Sequence, residues 1–216
     1  MIQIKATEID EAYLELVNKV LNEGEMVRDE RGHKTLELMN IITEIIQPIP
    51  YSPVNLPIYE LINPQFNTFW KGERLEKYCK ELVSPERNGF IYTYGNRYRD
   101  WFGVDQIQEA ITRLNNCSAT RRAISTTWDC KTDTINNEVP CMILVDFKVR
   151  HNKLQTTALW RSHDVGQAWY PNVVGLAYLA QYVGHYTNKE VGGITVQSIS
   201  GHIYENDIQV VKELIK

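Results

Sequence analysis

EVPCMILVDFKVRHNKLQTTALWR, residues 138–161, decides the fold class. Apolar and polar residues alternate through Ile143, Val145, Phe147 and Val149, the two-residue period of a half-buried strand. RHNK, residues 150–153, carries turn chemistry, and LQTTALW, residues 154–160, returns as a second strand. The unit reads as an antiparallel hairpin, not as one half of a parallel crossover.

Outward from the hairpin, NVVGLAYLAQYVGHYT (172–187) reads as an apolar helix whose small residues suit close burial. GITVQSIS (193–200) reads as a strand. Asn206 is expected to cap a last helix with Ile208, Val211, Leu214 and Ile215 on one face. Toward the N-terminus, residues 105–115 and 71–82 carry helical spacing. Ile107, Ala110, Ile111 and Leu114 point inward from the first, and Leu75, Tyr78, Cys79 and Leu82 from the second. Residues 7–22 read as a helix capped by Thr7 and stopped by Gly24, residues 25–34 as a charged loop, and residues 35–46 as a strand. Residues 47–66 hold five of the eight prolines and read as an irregular excursion. Hairpins and helices without a βαβ rhythm imply an α+β fold, with residues 1–216 as a single domain.

Composition is that of a globular chain: 43% hydrophobic and 23% charged residues, enough apolar surface for a core. The formal charge of −4 supplies no basic field for a nucleic-acid polymer or an anionic membrane, so any anion site must be built from particular arginines. No run approaches the ~18 apolar residues of a membrane span. The N-terminus has no apolar signal core, which implies a cytoplasmic protein. The four cysteines contain no CxxC pair, so no metal site is expected and the thiols are expected to be reduced. Any one of them, taken alone, is more often a small buried hydrophobe than a nucleophile.

Four segments carry chemistry as a set. SATRRAISTTWD holds Arg121 and Arg122, and EVPCM holds Cys141 directly before a strand. WRSHDVGQAWYPN gathers Arg161, Ser162, Asp164 and Asn172, and SGHIYEN holds His202 and Tyr204. Taken singly, an Arg-Arg pair is usually a solvated face, and a His near a Tyr in a strand is usually structural. Together they supply guanidinium groups that match phosphate oxygens, a thiol whose thiolate positive charge favours, and an amide with the donor and acceptor that a uracil edge needs. A nucleophile, an anion clamp and an amide reader describe a nucleotide-modifying site.

The order and spacing of YTYGNRYRDW, DQIQEAITRL, TRRAISTTW, the Pro-Cys dipeptide, the Arg-Ser-x-Asp run followed by Asn, and HIY-x-N resemble the thymidylate synthase superfamily from about Tyr92 to Lys212. The resemblance implies a mixed sheet flanked by helices and a homodimer formed through the sheet. It implies a methyltransferase of nucleotide biosynthesis that converts dUMP to dTMP. Cys141 then resembles the nucleophile that attacks C6 of the pyrimidine, and Tyr94 the tyrosine linked to proton removal from C5. Arg161 resembles the same-subunit phosphate arginine, and Arg121 and Arg122 the pair that reaches the phosphate across the dimer. Ser162 and Asp164 resemble nucleotide and active-site contacts, Asn172 the base reader, and His202 and Tyr204 the deoxyribose contacts. The family also uses a glutamate that organises protons near the base. Glu76 is the first choice for it, with Glu73 and Glu60 behind it. Arg28 or Arg31 in the early polar loop is expected, from the same resemblance, to be the further phosphate arginine.

Three departures stand out. Met142 follows the cysteine where the common enzymes carry His, Trp160 replaces their Gln, and the chain stops at Lys216, where they continue into a tail that closes over the folate. This short form resembles the archaeal-type branch. The one-carbon donor is expected to be methylene-tetrahydrofolate or a methylene-tetrahydromethanopterin-like pterin. Three alternatives accompany this reading: a dUMP or dCMP hydroxymethylase of the same family, with Asn172 disfavouring dCMP; a catalytically idle nucleotide-binding dimer; and a cysteine protease or transferase that pairs Cys141 with His163 or His202, for which no sequence feature supplies the orienting third group.

Overall fold

The chain runs β1 (Ile2–Ala6), α1 (Ile9–Glu23), β2 (Glu25–Arg28), β3 (Lys34–Ile45), α2 (Ile58–Leu61), α3 (Gly72–Leu82), α4 (Tyr94–Arg99), α5 (Gln106–Asn116), β4 (Ile124–Thr126), β5 (Met142–Arg150), β6 (Lys153–Trp160), β7 (His163–Asp164), α6 (Trp169–Thr187), β8 (Glu190–Tyr204) and α7 (Ile208–Leu214). This computed structural model describes residues 1–52, 54–64, 66, 68 and 70–214. The strands form one sheet whose main path is β1-β3-β8-β6-β5-β4, with β2 paired to β3 and β7 to β8. β1 with β3, β6 with β8 and β7 with β8 are parallel, and the other pairs are antiparallel. The sheet is therefore mixed, and helices flank it, as α+β patterning implies.

The β5–β6 hairpin forms with Arg150 opposite Lys153. The expected inward row needs one correction. Ile143 is only half-buried, and Met142, Val145, Phe147 and Val149 are the residues that face the core. A bulge between Met142 and Leu144 shifts the register by one residue, which turns Ile143 off the buried face. Other expectations also move. Residues 25–28 are a strand, unreadable by alternation because all four are exposed. Thr7 does not cap α1; its N–H donates instead to the Glu11 carboxylate at 2.7 Å. Asn206 lies in a 3-10 turn that leads into α7, and Ile215 lies outside the described residues.

α6 is the spine of the core. It is buried on nearly every side from Trp169 to Ala180, as a helix that is apolar all round must be. α1, α2, α3 and α5 pack against it. Gly175 lets α3 come close: a Cβ there would stand 3.1 Å from a ring carbon of Tyr78 and 3.2 Å from Leu82. Gly95 is tighter still, since a Cβ would meet the Glu81 carbonyl oxygen at 2.0 Å. The start of α4 is thereby pinned against the end of α3, and Thr93 caps it by accepting the Asn96 N–H at 3.0 Å.

α4 also anchors the chain that leads to Cys141. Arg97 makes a two-armed ion pair with Asp133, at 3.0 and 2.8 Å, with the two side chains 1% and 0% exposed. Its guanidinium lies 3.7 Å from the Trp101 ring centre, and Trp101 donates to Asp129 at 2.9 Å. On the sheet, Ile42, Gln197, Leu159 and Leu144 line up across four strands and stay partly exposed. Ile124 and Met39 are 46% and 50% exposed.

Removing one partner of a buried ion pair strands the other charge. Asp133→Ala is expected to destabilise the fold by about 3–5 kcal/mol. The double replacement Arg97→Met with Asp133→Leu is expected to recover most of that loss in urea denaturation.

Candidate active site

Cys141 stands at the threshold of β5, and Arg161 stands directly after β6 on the neighbouring strand. The Arg161 backbone N–H donates to the Cys141 carbonyl at 2.9 Å. Its side chain continues the grip: Nε donates to the Pro140 carbonyl at 2.9 Å, and Nη2 to the Val139 carbonyl at 3.3 Å. Three successive carbonyls are held by one residue. The other guanidinium N–H groups have no hydrogen-bond partner among the described residues. From the opposite side the Met142 N–H donates to the Tyr94 hydroxyl at 3.3 Å. Arg31, in the β2–β3 turn, donates to the Asn137 carbonyl at 2.9 Å. That turn is shaped by the Asp29 carboxylate, which accepts the N–H groups of Arg31 and His33.

The four thiols differ sharply in setting. Cys79 is buried, and desolvation pushes it up to about 12, which makes it an inert core residue. Cys117 and Cys130 are exposed. Cys141 is half-buried and its pKa is raised above the ordinary thiol value: burial raises it most, the Arg161 charge pulls it down, Asp164 raises it and Arg31 lowers it, so desolvation outweighs the two arginines. Both arginines thus favour the thiolate, against desolvation and one carboxylate. Burial holds Tyr78 and Tyr94 far above their ordinary range, and Tyr92 is pushed up to about 12, so all three remain neutral phenols near pH 7. Asp164 is raised to about 6, chiefly by burial, although the Gln167 N–H donates to it at 3.0 Å.

On α6, the Asn172 amide is 7% exposed and held from two sides. Its Oδ1 accepts the Tyr78 hydroxyl, and its Nδ2 lies 3.2 Å from His163 Nε2. His163 Nδ1 lies 2.9 Å from Ser198 Oγ, and its ring stacks on Trp160 with centres 4.5 Å apart and planes 9° apart. Burial, and then the neighbouring His202, drive the His163 pKa well below its ordinary value, so the imidazole is neutral.

The structure brings together Cys141, Tyr94, Arg161, Asp164 and Asn172. Tyr204 joins them: its pKa is raised by burial and by the charges of Asp164, Asp29 and Cys141. His202 packs edge-on to it at 5.2 Å and is the register partner of Asp164 where β7 pairs with β8. Ser162 is half-buried between Arg161 and His163, and its hydroxyl has no hydrogen-bond partner among the described residues.

Other expected residues lie elsewhere. Glu76 pairs with Lys80 at 2.6 Å on the outer face of α3, beside Glu73. Glu60 is on α2, and its charge acts on Tyr59 rather than on any group of the site. None of the three reaches Cys141, because the face of α3 turned inward carries Tyr78. Arg28 closes its own turn on the Gly32 carbonyl at 3.0 Å. Arg121 and Arg122 are exposed before β4, where Ala123 pairs with Phe147. That is six residues along β5 from Cys141, on the order of 20 Å at strand rise.

Tyr78, Tyr92 and Ser198 line the site beyond the sequence candidates, and His163 lines it as a partner of Asn172 and Ser198, not as a base for Cys141. Tyr78 is legible in the sequence as an inward residue of its helix, and Tyr92 as the first residue of YTYGNRYRDW. Among the described residues no group of three His, Cys, Asp or Glu side chains is placed to hold a metal ion. No described helix is long and apolar enough to cross a membrane.

A family model described as thymidylate synthase matches residues 63–216. The chain is 53% identical to a protein of Methanothermobacter marburgensis, covering 99% of this chain and 98% of that one. It is 41% identical to a protein of Methanosarcina mazei, over 99% and 94% of the two chains. It is 32% identical to one from Methanocaldococcus jannaschii, over 99% and 96%. Each of these relatives carries the name "Putative thymidylate synthase".

Proposed function

The chain belongs to the thymidylate synthase family, and from that premise we propose that it methylates dUMP at C5 to give dTMP, with Cys141 as the covalent nucleophile and a methylene-tetrahydropterin as the donor of carbon and hydride. One observation carries the reading. Cys141 is the half-buried thiol whose backbone is clasped by Arg161, with neutral phenols on one side and cationic groups on the other.

The chemistry follows from that arrangement. The Cys141 thiol gives its proton to water, and Sγ adds to C6 of the uracil. The electron pair of the C5–C6 bond moves toward O4, where an Asn172 N–H stabilises it. C5 then bonds to the methylene carbon of the pterin. The C5 proton leaves through water oriented by Tyr94, a neutral phenol at working pH. The pterin amine departs, hydride from the reduced pterin ring completes the methyl group, and the C6–S bond breaks to regenerate the thiol. Arg161 and Arg31 offer guanidinium groups to the nucleotide phosphate. On the carrier side, Trp70 packs edge-on to Tyr78 at 5.5 Å and donates to the Gln167 carbonyl at 2.9 Å. Together with Asp164 this gives an aromatic wall and a buried carboxylate, which suit the planar ring and N–H edge of a pterin.

The working unit in this reading is a homodimer formed through the partly exposed sheet face. Arg121 and Arg122 are too far along β5 to serve their own Cys141, and they are exposed where a partner's site could use them.

Two outcomes check the proposal. With dUMP tritiated at C5, the wild-type protein and a methylene-pterin donor are expected to release tritium and yield a 5-methyl product by mass spectrometry. Cys141→Ser is expected to abolish release while dUMP binding is kept. A 5-hydroxymethyl product would identify a hydroxymethylase, and no release with any donor an idle binding protein. In the second test, Cys141→Ala subunits are mixed with subunits carrying Arg121→Ala and Arg122→Ala. Random reassociation is expected to restore about a quarter of wild-type activity, since half of the dimers are mixed and each holds one intact site.

A further inference from the structure

We propose that Tyr78, His163 and Ser198 are positioning residues that lock the Asn172 amide in the orientation that pairs with uracil and rejects cytosine. The inference rests on the reading of this site as a pyrimidine-nucleotide site.

A primary amide can turn by 180° with almost no change of shape, exchanging its donor for its acceptor. Uracil presents an acceptor at O4 and a donor at N3–H. Cytosine presents the reverse, a donor at the 4-amino group and an acceptor at N3. An asparagine free to turn therefore reads either base, and its discrimination depends on what holds it.

Here both ends of the amide are held. Oδ1 accepts the Tyr78 hydroxyl, and Asn172 is the partner the structure gives to that proton. Nδ2 faces His163 Nε2 at 3.2 Å. The imidazole is 1% exposed and neutral, so it carries a single ring proton. With that proton on Nδ1, donated to Ser198 Oγ at 2.9 Å, Nε2 offers a lone pair that attracts the amide N–H and repels the amide oxygen. The ring cannot swing away, because it lies flat against Trp160 at 4.5 Å.

Turning the amide would set Oδ1 against the Nε2 lone pair and leave the Tyr78 proton without its acceptor. Both penalties fall on groups shielded from water, where an unmade hydrogen bond is costly. One Oδ1 lone pair and one Nδ2 N–H remain for the base, in the order uracil requires. Each member owes its place to the fold. Gly175 admits Tyr78 to α6, β7 presents His163, and β8 carries Ser198, 2% exposed, opposite Trp160.

The test compares dissociation constants for dUMP and dCMP, by calorimetry, in full-length wild-type, Tyr78→Phe and Ser198→Ala proteins. The His163 ring nitrogens of the wild type are read in parallel by 15N NMR. The wild type is expected to prefer dUMP and to show a protonated Nδ1 with a bare Nε2. Each variant is expected to lower the dUMP-to-dCMP preference by about tenfold, as dUMP weakens and dCMP gains. Equal weakening toward both nucleotides would mark a merely structural role and overturn the proposal. So would an unchanged preference, or a proton found on Nε2 in the wild type. A wild type that binds both nucleotides equally would overturn the assignment of Asn172 as base reader, a failure seen before any substitution is made.

Discussion

The grip of Arg161 on three successive carbonyls, Val139 to Cys141, is the constraint on which the rest of the site depends. A free thiol at the end of a loop would sample many positions. Here the backbone on its N-terminal side is tied to the end of β6 and the N–H on its far side to α4. The parts that make this possible are remote from one another in the chain. The hairpin brings Arg161 beside Cys141, Gly95 seats α4 so that Tyr94 reaches the Met142 N–H, and the buried Arg97–Asp133 pair fixes the loop that precedes the cysteine. Arg161 still retains guanidinium N–H groups for an anion, so one side chain can serve both scaffold and substrate.

The site divides into a cationic end and a neutral end. Arg161 and Arg31 stand on one side, where a phosphate would be welcome. At the other end the groups are neutral: phenols whose pKa burial raises further, an imidazole that burial keeps unprotonated, and an amide. Asp164 is the carboxyl whose charge acts on Cys141, and burial holds it up near 6. Hydrogen bonds between neutral groups fix orientation without the large desolvation cost of buried ions. Such a region suits a uracil ring, which is itself neutral and recognised by the order of its donors and acceptors.

Much of this was legible from the residues. The two-residue period gave the hairpin, helical spacing gave α1, α3, α5 and the body of α6, and the ordered motifs pointed to Cys141, Tyr94, Arg161, Asp164 and Asn172. What escaped has physical reasons. A bulge leaves no mark in an alternating run, so alternation alone puts Ile143 on the inward face. A fully exposed strand such as β2 has no buried face to alternate. Chemical type alone points to a glutamate on α3, but Glu76 and Tyr78 are two residues apart and so point to nearly opposite sides of a helix. The inward one is the tyrosine. The role of His163 inside Arg-Ser-His-Asp is not legible locally, because its partners lie on β8 and α6 and no local pattern announces them.

The central claim is that Cys141 bonds to the sixth ring carbon of a bound uracil nucleotide, and it can be read directly by trapping that bond. A 5-fluoro analogue of dUMP carries at C5 a substituent that cannot leave as a cation, so the reaction should halt with nucleotide, pterin carbon and protein joined. Peptide mass spectrometry after incubation with this analogue and a methylene-pterin donor is predicted to find the adduct on the peptide containing Cys141. An adduct on Cys117 or Cys130, or no covalent species with any donor, would contradict the account.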